Sequence, residues 1–515
     1  MRLLAFAAAT WLLGSAAIAG TTAPDPASAY PDAKTLLDSI TQLDKSDPGS
    51  PAALEGRLEY VDLILGGASK EDCQKRLDDA QSQLDAVTAD PSFEVLVPAA
   101  LARQADAEYR IHTARAECGS DPAKRSSELH EALAAAQRAV GLYRDALDYQ
   151  SMVVMQFSIA STRRLLGDNA AAVAELRSAL DMDGEYGFRE DAEANYALLA
   201  QWTDKPSEAD ALKDFPNRTA NLKFAWSIRN AQVAVDVNYA RVLEDGVLRF
   251  RGHTAFKRTY REGHFGSWEV AQQPGPVSFD STDWPQDSGV LRELVAVLER
   301  DLAEFPDIDV NKEGEFTHAR DLDRLGDHLS KDTEALVTQH APTQSRPAGL
   351  QSLLAHDMRR EFNSEAIQAR AAERHGFETE AWVGATLEQG VWYEMSAPLA
   401  LPGALPISLP QDVEFAFTHQ VPCKADSTDR SCVELVVRTT PQADAVSDLV
   451  EAMDTHYKVK AHYWSSTYMR IVTEPNTLMI HVRDVRQYWH TSFDGVPGPE
   501  GIQNESERVV TTSDY

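Results

Sequence analysis

Two textures of apolar and polar positions divide the chain near residue 216. Up to about Phe215 the apolar residues recur at helical spacing, which predicts helices over 31–43, 52–65, 70–87, 93–117, 126–147, 189–203 and 207–212. The clearest period runs from Ser151 to Asp183. Met155, Ile159, Ala160 and Leu166 carry it, Gly167-Asp168-Asn169 breaks it, and Ala172, Leu176, Ala179 and Leu180 resume it. That pattern predicts a helix, a tight turn and a second helix packed antiparallel on the first, with small residues letting the two backbones approach. Such a pair cannot bury its outer face alone, so it needs stacked neighbours. Ala132, Ala136 and Ala139 reproduce the spacing of Ala172, Leu176 and Ala179, which supports repetition with an irregular period.

From about Asn217 the pattern changes to partial alternation rich in Val, Phe, Tyr and Trp. Strands are predicted over 221–228, 232–243, 247–259 and 267–271, then 380–388, 391–397, 413–420, 433–439, 457–463, 467–473 and 477–489. Helical spacing returns over 290–304, 318–337, 350–374 and 442–453, and a short hairpin is expected over 308–316. Strand clusters with segregated helices imply an α+β domain built on antiparallel sheet. The expected layout is multidomain: residues 1–19 a signal peptide, 20–29 a linker, 30–215 an all-α helical repeat domain, 216–493 an aromatic-rich α+β domain, and 494–515 a flexible tail, where Gly, Pro and acids replace apolar period.

The 151–183 stretch resembles a tetratricopeptide repeat. Ala160 in the first helix, Gly167 at the turn, Ala172 and Ala179 in the second helix and Asp183 at its end stand where that family places such residues, while Thr162, Arg163 and Gly184 depart from its pattern. The resemblance implies an α-solenoid whose inner surface, lined by first-helix side chains, takes an extended peptide or another protein. The competing expectation is that the helices brace the second half of the same chain.

Other features narrow the setting. Met1 to Ala19 has one early arginine, Arg2, an apolar run from Leu3 to Ile18, and a small-x-small site at Ala17-Ile18-Ala19, which predicts a secretory signal cleaved after Ala19 and a periplasmic or secreted product with no membrane anchor. The formal net charge of −31 argues against nucleic acid and anionic membrane surfaces as partners, because each needs a dense basic patch. Four cysteines in an exported chain predict two disulfides. Cys423 and Cys432 flank KADSTDRS between two strand-like runs. Cys73 lies near the start of one predicted helix and Cys118 near the end of the next, ends that antiparallel packing brings together.

Motifs that carry chemistry are scarce, and no catalytic, cofactor or metal residues are assigned. There is no G-x-S-x-G elbow, H-E-x-x-H, P-loop or strand-following G-x-G-x-x-G. Asp307, Asp309 and Asn311 alternate as in a calcium loop, but Lys312 and His318 occupy the positions that demand Gly and Glu, so a hairpin is expected instead. His456 with His462, His481 with His490, and the carboxylates Glu388 and Glu394 read as ordinary strand residues. The aromatic weight lies in the second half, where Trp382, Trp392 and Trp464 are candidates for lining a cavity for a hydrophobic small molecule or lipid, or else for filling a core. Three functional readings follow: a non-enzymatic binding or scaffold protein of the cell envelope with an unidentified protein partner, a carrier of a hydrophobic small molecule, and a hydrolase with a spatially assembled site.

Overall fold

The computed structural model describes residues 33–47, 50–66, 73–89, 98–203, 221–227, 230–243, 248–273, 275, 277–280, 306–340, 363–400, 408–424, 427–442, 445–447, 450–451, 461–493 and 502–515. The expected signal peptide and linker, the helices over 207–212 and 290–304, and His456 lie outside these residues.

Among the described residues eight consecutive helices come first: α1 (Ala33–Ser46), α2 (Pro51–Gly66), α3 (Cys73–Ala89), α4 (Pro98–Cys118), α5 (Pro122–Asp145), α6 (Tyr149–Leu165), α7 (Asn169–Tyr186) and α8 (Arg189–Thr203). Each packs on the next, as a helical repeat requires. Aspartates set the starts. Asp121, Asp148 and Asp168 accept backbone N–H bonds from Ala123, Ser151 and Ala171 at 2.9, 3.1 and 3.2 Å, satisfying donors that open the helix leaves free. Gly187, at φ 81°, ends α7 in a left-handed cap whose N–H reaches Asp183 O at 2.8 Å. Ala160, Ala172 and Ala179 are fully buried between α6, α7 and α8, and Gly167, at φ 85°, makes the turn. The helix–turn–helix predicted over 151–183 is therefore present.

The second part is an α+β domain, as predicted, but its strands form one large antiparallel sheet. Strands β2 (Ala231–Leu243), β3 (Leu248–Glu262), β4 (Trp268–Gln273), β5 (Val277–Asp280), β6 (Ile308–Val310), β7 (Phe316–Ala319), β9 (Trp392–Ala400), β10 (Ser408–Val421), β11 (Cys432–Pro441), β12 (Ala461–Thr473), β13 (Ile480–Phe493) and β14 (Ile502–Asp514) make a 12-stranded sheet of order β7-β6-β4-β3-β2-β14-β13-β12-β11-β10-β9, with β5 on β3. A separate two-stranded sheet joins β1 (Asn221–Lys223) to β8 (Thr386–Glu388). Helices α9 (Leu322–His340) and α10 (Ser364–Glu378) pack on each other through Leu329 and Ile367, and Ala371 of α10 enters the core beside Val233, Tyr260 and Val310.

The stretch expected to be a flexible tail requires correction. Residues 502–514 form β14, paired on one side with β13 and on the other with β2. This strand welds the two strand clusters into one sheet. Polar residues dominate it, and pairing on both flanks supplies what its weak apolar pattern, centred on Val509 and Val510, does not.

Alternation along β11 gives the sheet two different faces. Val433, Leu435 and Val437 join Phe224, Trp382, Phe415, Phe417, Met469 and Ile471 in an apolar core. On the opposite face Glu434 and Arg438 meet the helical array, and Val436 joins the core that holds Tyr149, Met152 and Tyr186. Both predicted disulfides are formed: Cys73–Cys118 ties the start of α3 to the end of α4 with Cα atoms 6.3 Å apart, and Cys423–Cys432 ties the end of β10 to β11 at 5.0 Å.

Candidate functional site

Helix α6 is held on one side and open on the other. The open side faces α8, where Val153, Val154 and Phe157 line a groove opposite Asp191, Ala194 and Leu198, with a volume of about 380 Å³. Among the described residues the large apolar side chains that stand well into solvent are Val154 and Leu165, at 43% and 47% exposure, and both belong to α6. Arg164 lies over the Trp202 ring at 4.7 Å, fixing the end of α6 to the end of α8. Asp191 sits at the groove rim, its carboxyl pushed upward first by burial and then by the neighbouring Glu190. The groove thus offers an apolar floor beside an acidic rim.

The other side of α6, and the neighbouring turns, are pinned to the sheet. The Tyr149 hydroxyl donates to Glu434 Oε1 at 2.6 Å, Thr418 Oγ1 donates to the same oxygen at 3.0 Å, and Arg470 donates to the second oxygen. Burial raises the Glu434 carboxyl, yet Arg470, His419 and the Tyr149 hydroxyl outweigh it and hold the group below the usual carboxylate range. Tyr149 stacks on Tyr186 at 4.5 Å, and His419 meets the Tyr186 ring edge-on at 4.8 Å. Arg438 donates to Leu147 O at 3.1 Å while lying 4.3 Å over the Trp392 ring. Arg486 donates to Asp145 O, Gln389 to Glu185 O, and both His490 and Ser492 bond to Asp47. These contacts fall at the ends of α1, α5 and α7, so one edge of the array is seated on the polar face of the sheet.

A third feature lies near α10. Trp226, Arg258, Tyr260, Gln272, His375 and Glu378 line a cavity of about 40 Å³. Trp226 Nε1, Arg258 Nε and Gln272 Oε1 are buried there without protein partners, which makes it polar and roomy enough for one or two waters. Burial raises the Glu378 carboxyl, but Arg374, Arg483 and Arg258 outweigh it and bring it down to about 2. Burial pushes the His375 imidazole down, and its Nε2 lies 2.8 Å from Gly314 O, where it donates. A histidine and a carboxylate do converge here, as the hydrolase reading demands, but the carboxylate is fixed as a charge by arginines and the imidazole proton by a carbonyl.

The three tryptophans singled out in the sequence are not brought together. Trp382, 4% exposed, packs on Phe415 at 5.4 Å in the apolar core, while Trp392 lies on the opposite face beneath the helices. Trp464 pairs in register with His490, six residues along β12 from the Arg470 that follows the Trp392 row, roughly 20 Å away at the usual rise per residue. Asp309 of the rejected calcium pattern is paired with Arg320 and with His318, the latter at 2.8 Å. Glu388 stands opposite Asn221 and Glu394 opposite Glu414, on separate strands. Sequence reasoning missed Tyr149, Glu434 and Arg470. The signal available was the lone acid in the apolar run Cys432-Val-Glu-Leu-Val-Val437.

No family model matches the chain, and no curated protein matches it. A solved structure described as lipid–protein interactions in lipovitellin aligns with 55% of this chain at 9% identity and a TM-score of 0.26. The alignment covers 25% of that chain, so this chain spans about a quarter of it, and a likeness of that size carries no argument.

Proposed function

We propose that this is an exported scaffold protein of the cell envelope, periplasmic or secreted after cleavage behind Ala19, in which a tetratricopeptide-like array is braced on the sheet and presents the α6/α8 groove to a protein partner. The observation that carries the reading is the pairing of a pinned edge with an open groove on one helix. Val154 and Leu165 stand exposed on α6 while Tyr149 at its start is bonded to Glu434 of the sheet, and the ends of α1 and α5 are fixed beside it. The groove lies between α6 and α8, the positions that alternate first helices of such an array occupy. Two disulfides suit an oxidising compartment, and no helix among the described residues is long and apolar enough to cross a membrane.

The occupant is an amphipathic segment of a partner protein with basic flanks. Its apolar anchors replace water over Val154, Phe157 and Leu198, and its Lys or Arg residues answer Asp191 and Glu190 in a chain of net charge −31. The test is calorimetric titration of the full chain with a helical probe peptide bearing leucines at i and i+4 and lysine flanks, beside the same peptide with glutamate flanks. Saturable binding that Val154→Asp weakens about tenfold or more, and that the glutamate version lacks, supports the reading, about 1.4 kcal/mol being one decade. Equal binding by wild type and Val154→Asp, or by both peptides, refutes it.

A further inference from the structure

At the far corner of the sheet, Cys423 two residues past the end of β10, Cys432 at the start of β11 and His481 at the start of β13 each offer one ligand atom, and the three atoms lie within 4.8 Å of one another. Cys432 is fully buried and His481 is 5% exposed. His481 Nε2 is 3.2 Å from Glu474 Oε1, and Glu474 is itself held by Thr477, whose hydroxyl donates to its other oxygen at 2.9 Å. The second ring nitrogen, Nδ1, is buried with no partner. A carboxylate on one imidazole nitrogen keeps the proton there and leaves the other as a lone pair, the arrangement found behind metal-bound histidines. The Tyr515 ring lies 4.8 Å from the imidazole and its hydroxyl donates to Ile480 O at 3.1 Å, covering the histidine side of the corner, while Cys423 on the other side is only half-buried.

We propose that this corner is a thiol-gated metal site: closed as the Cys423–Cys432 disulfide, and a binding site for a thiophilic divalent cation of the zinc class once that bond is reduced. The gate is a two-electron step. A dithiol gives two electrons and two protons to the S–S bond, leaving two cysteine thiols and a cyclic disulfide of the reductant. The cation then displaces both thiol protons and binds Sγ of Cys423, Sγ of Cys432 and Nδ1 of His481, with water in the fourth position. Bonds of about 2.3 Å to sulfur in a tetrahedral site put the two sulfurs about 3.8 Å apart. Strand ends whose Cα atoms are 5.0 Å apart accommodate that spacing with side-chain rotation. The softness of two thiolates and one imidazole selects zinc, or cobalt as its spectroscopic stand-in, over calcium and magnesium. This inference stands apart from the proposed function, since it uses neither the groove nor the helices.

The test is cobalt titration of the full chain, oxidised and after treatment with a dithiol that is then removed, followed by thiolate-to-cobalt charge-transfer and visible d–d absorption and by displacement with zinc. The Cys73–Cys118 pair provides an internal background, measured in the Cys423→Ser/Cys432→Ser double variant. One equivalent of cobalt with tetrahedral thiolate bands is expected only in the reduced wild type. His481→Asn is expected to weaken binding at least tenfold and Glu474→Gln by roughly 10- to 100-fold, the range for a carboxylate behind a metal-bound imidazole. Cobalt bound by the oxidised chain with the same bands, or by reduced His481→Asn as tightly as by reduced wild type, overturns the proposal. So does an absence of bands in a reduced wild type whose circular dichroism matches that of the oxidised chain.

Discussion

The two sides of α6 differ in almost every respect that a helix face can differ. Tyr149 at its start is buried, hydrogen-bonded to a nearly inaccessible Glu434 and stacked on Tyr186. Val154, less than two turns later, has 43% of its surface in water. The first side obtains its order from polar groups that are satisfied only when helix and sheet meet. The second gains nothing from the fold, since exposed apolar surface is stabilised only by a further contact. The difference teaches that the array is not a free solenoid: the ends of several of its helices are spent on the sheet, while the α6/α8 groove stays open.

Breaking the pinned side produces the largest effect. Glu434→Ala leaves Arg470 without its carboxylate and Tyr149 without its acceptor, and removing one member of a buried ion pair costs about 3–5 kcal/mol. Denaturant unfolding followed by separate helix and sheet signals is expected to show two transitions in the variant where the wild type shows one.

Next comes a carboxylate with the opposite environment. Asp183, fully buried at the end of α7, accepts from Asn195 at 2.8 Å, and burial, with the nearby Asp191 adding to it, pushes its carboxyl up to about 7. A folded-state value above the unfolded one means that its contribution is fully present below about pH 4 and is lost as pH rises through 7. Three pH units correspond to an upper limit of about 4 kcal/mol. Thermal melts of Asp183→Asn are expected to lack this decline, and the variant is expected to exceed the wild type in stability at pH 8. Glu378, brought down to about 2 against its ordinary 4.5, has the reverse sign: its contribution is present above about 4.5 and is lost as pH falls towards 2.

On the apolar face of the same strand, Leu435→Ala removes a fully buried side chain and is expected to cost about 3 kcal/mol without separating the transitions, because Leu435 packs within the sheet domain. This contrast with Glu434, one residue away, sharpens the two-faced account of β11. The smallest effect on stability belongs to the open side. Val154→Asp is expected to stay within about 0.5 kcal/mol of wild type, as exposed substitutions do, while weakening peptide binding.

Much of the architecture was legible because its causes are local. Periods of 3.6 and 2, the Gly167 turn and the cysteine spacings each act over a few residues, and the helix pair, the strands β10, β11 and β13 and both disulfides follow from them, whereas β12 was read as two strands and is one. The single sheet was not legible, because it depends on β14 entering between β13 and β2, a pairing between residues such as Val509 and Tyr239 that are far apart in sequence. For the same reason the bond from Tyr149 to Glu434 was invisible, as each residue alone is an ordinary helix or strand position. The tryptophans misled for a physical reason too: Trp382, expected on a strand over 380–388, lies in a 3₁₀ turn (Glu380–Trp382) that drops it into the apolar core, while Trp392 at the start of β9 faces the helices, a side that alternation assigns only once the strand register is known.

The most direct test of the account is hydrogen exchange of the full chain with and without the lysine-flanked probe peptide. The account predicts slowed exchange over residues 153–157 and 194–201, with residues 434–438 equally slow in both states because the sheet contact is already made. Slowed exchange centred on the sheet, or an unchanged groove at saturating peptide, would contradict it.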